Sequence, residues 1–172
     1  VIRREIVDAD GIIVRILELK RPLLETAARL KIISKHGVGV DNIDLDFCRD
    51  RDIAVTTTPN GNSISVAEHA FALMLALSKH LIPVSSAYRT CGFEAKNYAP
   101  GIELTGKTLG IIGAGRIGTR MIHLCQGLDM RVMVYDPYVS NLPEGVEHVE
   151  QLNQLLQQAD VLTLHCVLTQ ET

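Results

Sequence analysis

The stretch Gly113-Ala114-Gly115-Arg116-Ile117-Gly118 decides the fold. It follows an apolar run, Thr108-Leu109-Gly110-Ile111-Ile112, and opens a helix-like segment that ends near Leu128. Beyond that segment Arg131-Val132-Met133-Val134-Tyr135-Asp136 reads as a second strand finishing in a carboxylate. Strand, glycine turn, helix, strand and terminal acid in this order form a unit suited to a dinucleotide. In it Gly113 permits the tight turn, Gly115 lets the backbone approach a pyrophosphate, and Gly118 allows close packing of the helix. The free amides at the helix start, with the helix dipole, hold the pyrophosphate charge. No lysine follows in the P-loop pattern, which disfavours a nucleoside triphosphate. Asp136 can accept hydrogen bonds from both ribose hydroxyls and repels a 2′-phosphate, so the expected cofactor is NAD rather than NADP. The plainer alternatives are a flexible turn at 113–118 and a solvated strand-end acid at 136.

Working outward, 172 residues with 47% hydrophobic and 22% charged content suit one globular domain or two small ones. A formal net charge of −3, without a lysine and arginine run, gives no general attraction to nucleic acid or to an anionic membrane. The cysteines at 48, 91, 125 and 166 form no CxxC pair and no cluster with histidines. They are expected to be reduced, mostly packed thiols, with no metal site. The longest strongly apolar stretch, Ala70 to Leu77, is far too short to span a bilayer. No apolar leader follows Arg3, Arg4 and Glu5, so the expected location is the cytoplasm. The chain opens on Val1 and stops at Thr172 shortly after a strand, and is expected to be a piece of something longer.

Upstream of the glycine turn, strands are expected at Gly11–Leu17, Lys31–Ser34 and Ile53–Thr57. A helix with proline in its first turn is expected over Pro22–Leu30, and a short one through Phe47 and Cys48. This alternation predicts an α/β protein with a mostly parallel sheet. Thr58-Pro59-Asn60-Gly61-Asn62-Ser63 is turn chemistry. Behind it Ser65 and Glu68 have capping-box spacing, and a long helix from Ser65 is expected to stop near Pro83. That helix is apolar on nearly every side and needs cover, from a second lobe or a second subunit. Pro83 to Leu104 reads as a helix remnant and a loop. Ile117, Met121, Leu124 and Leu128 mark the packed face of the helix after the glycine turn, with His123 at the surface. A further helix around Leu152, Leu155 and Leu156 precedes a strand at Val161–Cys166.

Several stretches together resemble the D-isomer-specific 2-hydroxyacid dehydrogenases, nearest the branch acting on D-3-phosphoglycerate. They are His36 to Asp44, Thr58 to Glu68, Leu104 to Gly110 leading into the glycine turn, and Ala159 to Cys166. The resemblance implies a two-lobe enzyme: a partial flavodoxin-like substrate domain over 1–60 and a partial Rossmann NAD-binding domain over 61–172. A helix at 65–82 would serve the interlobe region and a homodimer contact. The cleft would take a small 2-hydroxy or 2-keto acid. The resemblance also implies that the amides of Val38 and Gly39 meet the substrate carboxylate, with Val38 against the nicotinamide end. By the same resemblance Arg116 and Ile117 would touch the pyrophosphate, Asp136 the ribose, and Cys166 the adenine or ribose. Arg15 matches a phosphate-binding position of the phosphoglycerate enzymes, or caps a strand at the surface. Val167 departs from the proline common after that position. The family's catalytic arginine, glutamate and histidine lie later in the chain, so no catalytic residue is assigned here and this segment alone is expected to be inactive. His165 reads as a strand-end packing group. The alternative function is a non-catalytic NAD sensor, as in the corepressors that resemble this family.

Overall fold

The computed structural model describes residues 2–168 and Thr172. The chain divides into two compact units, residues 1–62 with 167–172, and residues 63–166.

In the first unit a short helix α1 (Ile2–Glu5) precedes β1 (Gly11–Val14), α2 (Arg21–Leu24), β2 (Ile32–Lys35), α3 (Leu45–Asp50) and β3 (Ala54–Thr56). The three strands are parallel in the order β1-β2-β3, with Ile12 beside Ile33 and Ile33 beside Val55. Val14, Leu19, Leu24, Ile33, Phe47 and Cys48 form the buried core. Asp44 caps α3 by accepting the Phe47 amide at 2.9 Å. Two expected elements are shorter than the apolar pattern suggested. The first strand ends at Val14, and Arg15 to Leu17 are exposed beyond it. The helix at Pro22 ends at Leu24 because the following residues close as turns, Thr26 and Ala27 donating to Leu23 and Leu24.

The second unit contains α4 (Ser63–Ser78), α5 (Leu81–Cys91), a 3-10 turn (Gly92–Asn97), β4 (Thr108–Ile112), α6 (Arg116–Gln126), β5 (Arg131–Tyr135), β6 (Val146–His148), α7 (Leu152–Gln158) and β7 (Val161–Leu164). Its parallel sheet has the order β6-β5-β4-β7. The first strand of the unit, β4, therefore lies at the centre, and the chain reverses its direction of growth between β4 and β7. Such a reversal opens a crevice at the carboxyl ends of the strands. Leu109, Ile111, Val132 and Val134 face a core shared with Met121, Ile122 and Cys125 of α6. Met133 faces the other side with Val149 and Leu155. The central strands are thus buried on both faces, and each large aliphatic side chain removed from water contributes about 1.5–3 kcal/mol. On the same side as Met133, Gly110 lets α7 approach: a Cβ there would lie 2.6 Å from Leu155 Cδ2.

The helix expected at 65–82 is instead two helices. α4 begins at Ser63, so Ser65 lies inside it, and the chain breaks at Lys79-His80, where His80 adopts φ 50°. Pro83 sits at the third position of α5, where a missing amide costs no helical bond, so it starts a helix that the sequence pattern had it ending. α4 buries Ala67 and Met74 and packs Ala70, Phe71 and Leu75 against the core, while Leu73 and Leu77 are exposed. Among the described residues no single helix is long and apolar enough to cross a membrane. The strand β6 and most of α5 carry no apolar pattern that predicts them. Cys48 and Cys125 are buried as packed thiols, and burial raises the Cys125 pKa to about 11. Cys91 and Cys166 are exposed, contrary to the expectation of mostly packed cysteines.

Candidate dinucleotide and anion sites

β4 delivers the chain to the glycine turn at the crevice end of the sheet. Gly113 adopts φ +92°, a region that L side chains rarely enter, and a Cβ on it would lie 2.6 Å from the Cys166 amide nitrogen. A Cβ on Gly118 would lie 2.2 Å from the Gly113 carbonyl oxygen, so the first turn of α6 presses directly on the loop. Gly115 has open space where its side chain would be. Among the described residues the amides of Gly115, Arg116, Ile117 and Gly118 donate no hydrogen bond, and the first donor into the helix is Thr119, to the Gly115 carbonyl. The exposed Arg116 guanidinium has no partner among them either. Free amides at a helix start beside an unengaged guanidinium favour an anion there.

Asp136 ends β5 directly beside this turn. Its Oδ2 accepts the Ala114 amide at 2.8 Å and its Oδ1 accepts the Tyr138 amide at 2.9 Å. Each oxygen keeps acceptor capacity for a hydroxyl. Cys166 follows the last strand of the unit, its backbone against Gly113 and its thiol exposed. The structure therefore brings Gly113, Gly115, Arg116, Ile117, Gly118, Asp136 and Cys166 to one end of one sheet. These residues fit a bound NAD: a cradle of free amides for two phosphates, a carboxylate for a ribose diol, and glycines at 113 and 118 where any side chain would collide.

His165 precedes Cys166, with its amide on the Ile112 carbonyl at 2.8 Å and its Nε2 2.9 Å from Thr163 Oγ1. Burial lowers its pKa below 6.5 and favours the neutral ring. At the opposite end of the sheet Asp160 accepts the Thr108 amide at 2.8 Å and lies 3.5 Å from Lys107 Nζ. The Thr108 bond, more than Lys107, holds its carboxyl below the ordinary 3.8.

In the first unit Arg15, Val38 and Gly39 lie in adjoining segments after β1 and β2. Among the described residues the amides of Val38 and Gly39 donate no bond. The loop that carries them is fastened on both sides. Thr58 Oγ1 accepts the Gly37 amide at 2.8 Å, and the Thr58 amide donates to the Gly37 carbonyl at 2.9 Å. At the other end Lys35 and Asn42, both about nine-tenths buried, bond to each other at 2.6 Å. Lys35 also donates to the Arg15 carbonyl and Asn42 to the Leu17 carbonyl, each at 2.6 Å. Sequence reading missed Thr58, Lys35 and Asn42 as supports of this loop. Only the turn composition at 58–63 hinted at the first of them. The Arg15 guanidinium is exposed and has no partner among the described residues.

Residues 71–172 match the family model described as the D-isomer specific 2-hydroxyacid dehydrogenase, NAD binding domain. The chain is 40% identical over 172 residues to the D-3-phosphoglycerate dehydrogenase of Methanocaldococcus jannaschii, covering 98% of this chain and 33% of the relative. It is 36% identical over 168 residues to that of Bacillus subtilis, covering 95% and 31%. The chain thus spans about a third of the length of the curated relatives it matches. Among solved structures, D-lactate dehydrogenase from Aquifex aeolicus complexed with NAD and lactic acid superposes with a TM-score of 0.90 at 36% identity, over 98% of this chain and 51% of that one. The NAD-bound 3-phosphoglycerate dehydrogenase of Entamoeba histolytica gives 0.84 at 33% identity, over 99% and 51%. The chain belongs to the D-isomer specific 2-hydroxyacid dehydrogenase family, and its residues 71–172 to the NAD-binding domain.

Proposed function

We propose that the whole protein is an NAD-dependent oxidoreductase acting on the CH–OH group of a small D-2-hydroxy acid, of the 3-phosphoglycerate, hydroxypyruvate or glyoxylate type. The observation that carries this reading is the turn at 113–118 held against Asp136, in a chain of this family. Residues 1–60 form part of the substrate domain and 61–172 part of the NAD-binding domain. Bound NAD supplies the hydride acceptor. The free amides and Arg116 hold its pyrophosphate, with Ile117 alongside. Asp136 binds the adenosine ribose and disfavours a 2′-phosphate, and Cys166 lines the adenosine end. The Val38 and Gly39 amides bind the substrate carboxylate, and Arg15 offers a guanidinium to a second anionic group. No proton transfer is assigned to His165, because Thr163 engages its Nε2.

A second copy of the chain covers the exposed apolar residues of the helix pair, Leu73 and Leu77 on α4 and Leu81 and Ile82 on α5. Sedimentation of the whole protein is expected to give a dimer that Leu77→Glu weakens; a monomeric wild type contradicts this.

Steady-state assays of the whole protein with NAD and each candidate acid, and with NADH and the matching keto acids, test the activity. Turnover with at least one of them is expected. NAD binding without turnover on any would replace the enzyme reading by that of an NAD-sensing binding module.

A further inference from the structure

Lys35 is the buried cation of the first unit. It stands at the carboxyl end of β2, 8% exposed, and among the described residues no carboxylate pairs with it. Its two bonds run to the Arg15 carbonyl and to Asn42 Oδ1, both at 2.6 Å. Asn42 in turn donates to the Leu17 carbonyl at 2.6 Å and accepts the Leu19 amide at 2.8 Å through its own carbonyl. The ammonium therefore joins the segment after β1, which carries Arg15, to the loop after β2, which carries the free amides of Val38 and Gly39.

A methionine would fill the same volume without the desolvation cost of a buried charge. The cation has a use where an anion arrives: its field acts through a poorly screened interior, and its two bonds fix the spacing between the groups that meet that anion. We propose that Lys35 is a positioning residue of the substrate anion site, setting the Val38 and Gly39 amides relative to Arg15 and raising affinity for a carboxylate. Lys35 lies in the first unit and the dinucleotide turn in the second. The inference rests on the proposed dehydrogenase reading, in which those amides bind the substrate carboxylate.

The test uses the whole protein, with oxalate as a non-reacting dianion and NADH as the cofactor probe, both titrated calorimetrically, and with KM and kcat for the keto acid that the wild type turns over. Lys35→Met is expected to weaken oxalate and raise KM by about tenfold or more, the worth of a charge-assisted contact, while the NADH Kd and kcat change by less than about threefold. Lys35→Arg is expected to restore most of the loss. Oxalate affinity and KM unchanged in Lys35→Met, or NADH weakened as much as oxalate, overturns the proposal. If Lys35→Met does not fold, Asn42→Ala, which removes one acceptor and the Leu17 tie but keeps the lysine, must show the same selective loss; equal loss of both ligands again overturns it. A wild type that binds NADH but neither binds oxalate nor turns over a keto acid removes the dehydrogenase reading itself, a result distinct from a wild type that is active and indifferent to Lys35.

Discussion

Asp136 Oδ2 accepts the Ala114 amide at 2.8 Å, so the strand-end acid proposed to bind a ribose also clamps the glycine turn. The two roles separate by substitution. Asp136→Ala removes both and is expected to weaken NAD by about tenfold or more, as losing a charged acceptor costs about 1.5–3 kcal/mol. Asp136→Asn keeps an acceptor for the Ala114 amide and removes the charge that repels a 2′-phosphate. Its NAD affinity is expected to fall less, and its preference for NAD over NADP to shrink. Titration of both cofactors into both variants checks this; an unchanged preference in Asp136→Asn speaks against the ribose role.

Gly118 has no room for a methyl group. Its Cβ would lie 2.2 Å from the Gly113 carbonyl oxygen, and backbone must shift to admit it. Gly118→Ala is expected to cost about 2–4 kcal/mol in urea unfolding and to abolish measurable NAD binding. Gly115→Ala, with open space at that position, is expected to leave stability nearly intact and to weaken NAD alone. Equal stability of the two variants would contradict the packing described.

Thiol reactivity tests the proposed place of Cys166 at the adenosine end of the site. Cys91 and Cys166 are exposed, whereas Cys48 and Cys125 are buried and burial raises both of their pKa values. Alkylation followed by peptide mapping is expected to label Cys91 and Cys166 first, and saturating NAD is expected to slow Cys166 only. Labelling of Cys166 at the same rate with and without NAD would remove it from the site.

His165 makes stability depend on pH. Burial depresses its folded pKa below the ordinary 6.5, so the unfolded chain binds the proton more readily. Its contribution is fully present above 6.5 and declines as pH falls from there through the lowered folded value. Urea unfolding at stepped pH values is expected to show this decline in the wild type and a flatter profile in His165→Gln. The same slope in both would assign the acid loss elsewhere.

The glycine turn was legible in the sequence because it is local: Ile112, the three glycines and the helix after them are consecutive, and Gly113 and Gly118 each answer a backbone need. Asp136 was legible because the length of one helix and one strand brings it back to the turn. Lys35 was not, since a lysine reads as surface and only the crossing of two loops over it makes it buried. Pro83 misled because proline serves equally as a helix stop and as a first-turn residue, and the deciding event is the left-handed turn at His80. The three residues of β6, Val146-Glu147-His148, take their strand conformation from pairing with Val132, Met133 and Val134 rather than from any pattern of their own.

A crystal structure of the protein grown with NAD would show where the dinucleotide lies. Pyrophosphate oxygens are expected within hydrogen-bond reach of the amides at 115–118, and the adenosine ribose hydroxyls on the Asp136 carboxylate. A dinucleotide bound with its phosphates away from that helix start, or with its ribose turned from Asp136, would contradict it.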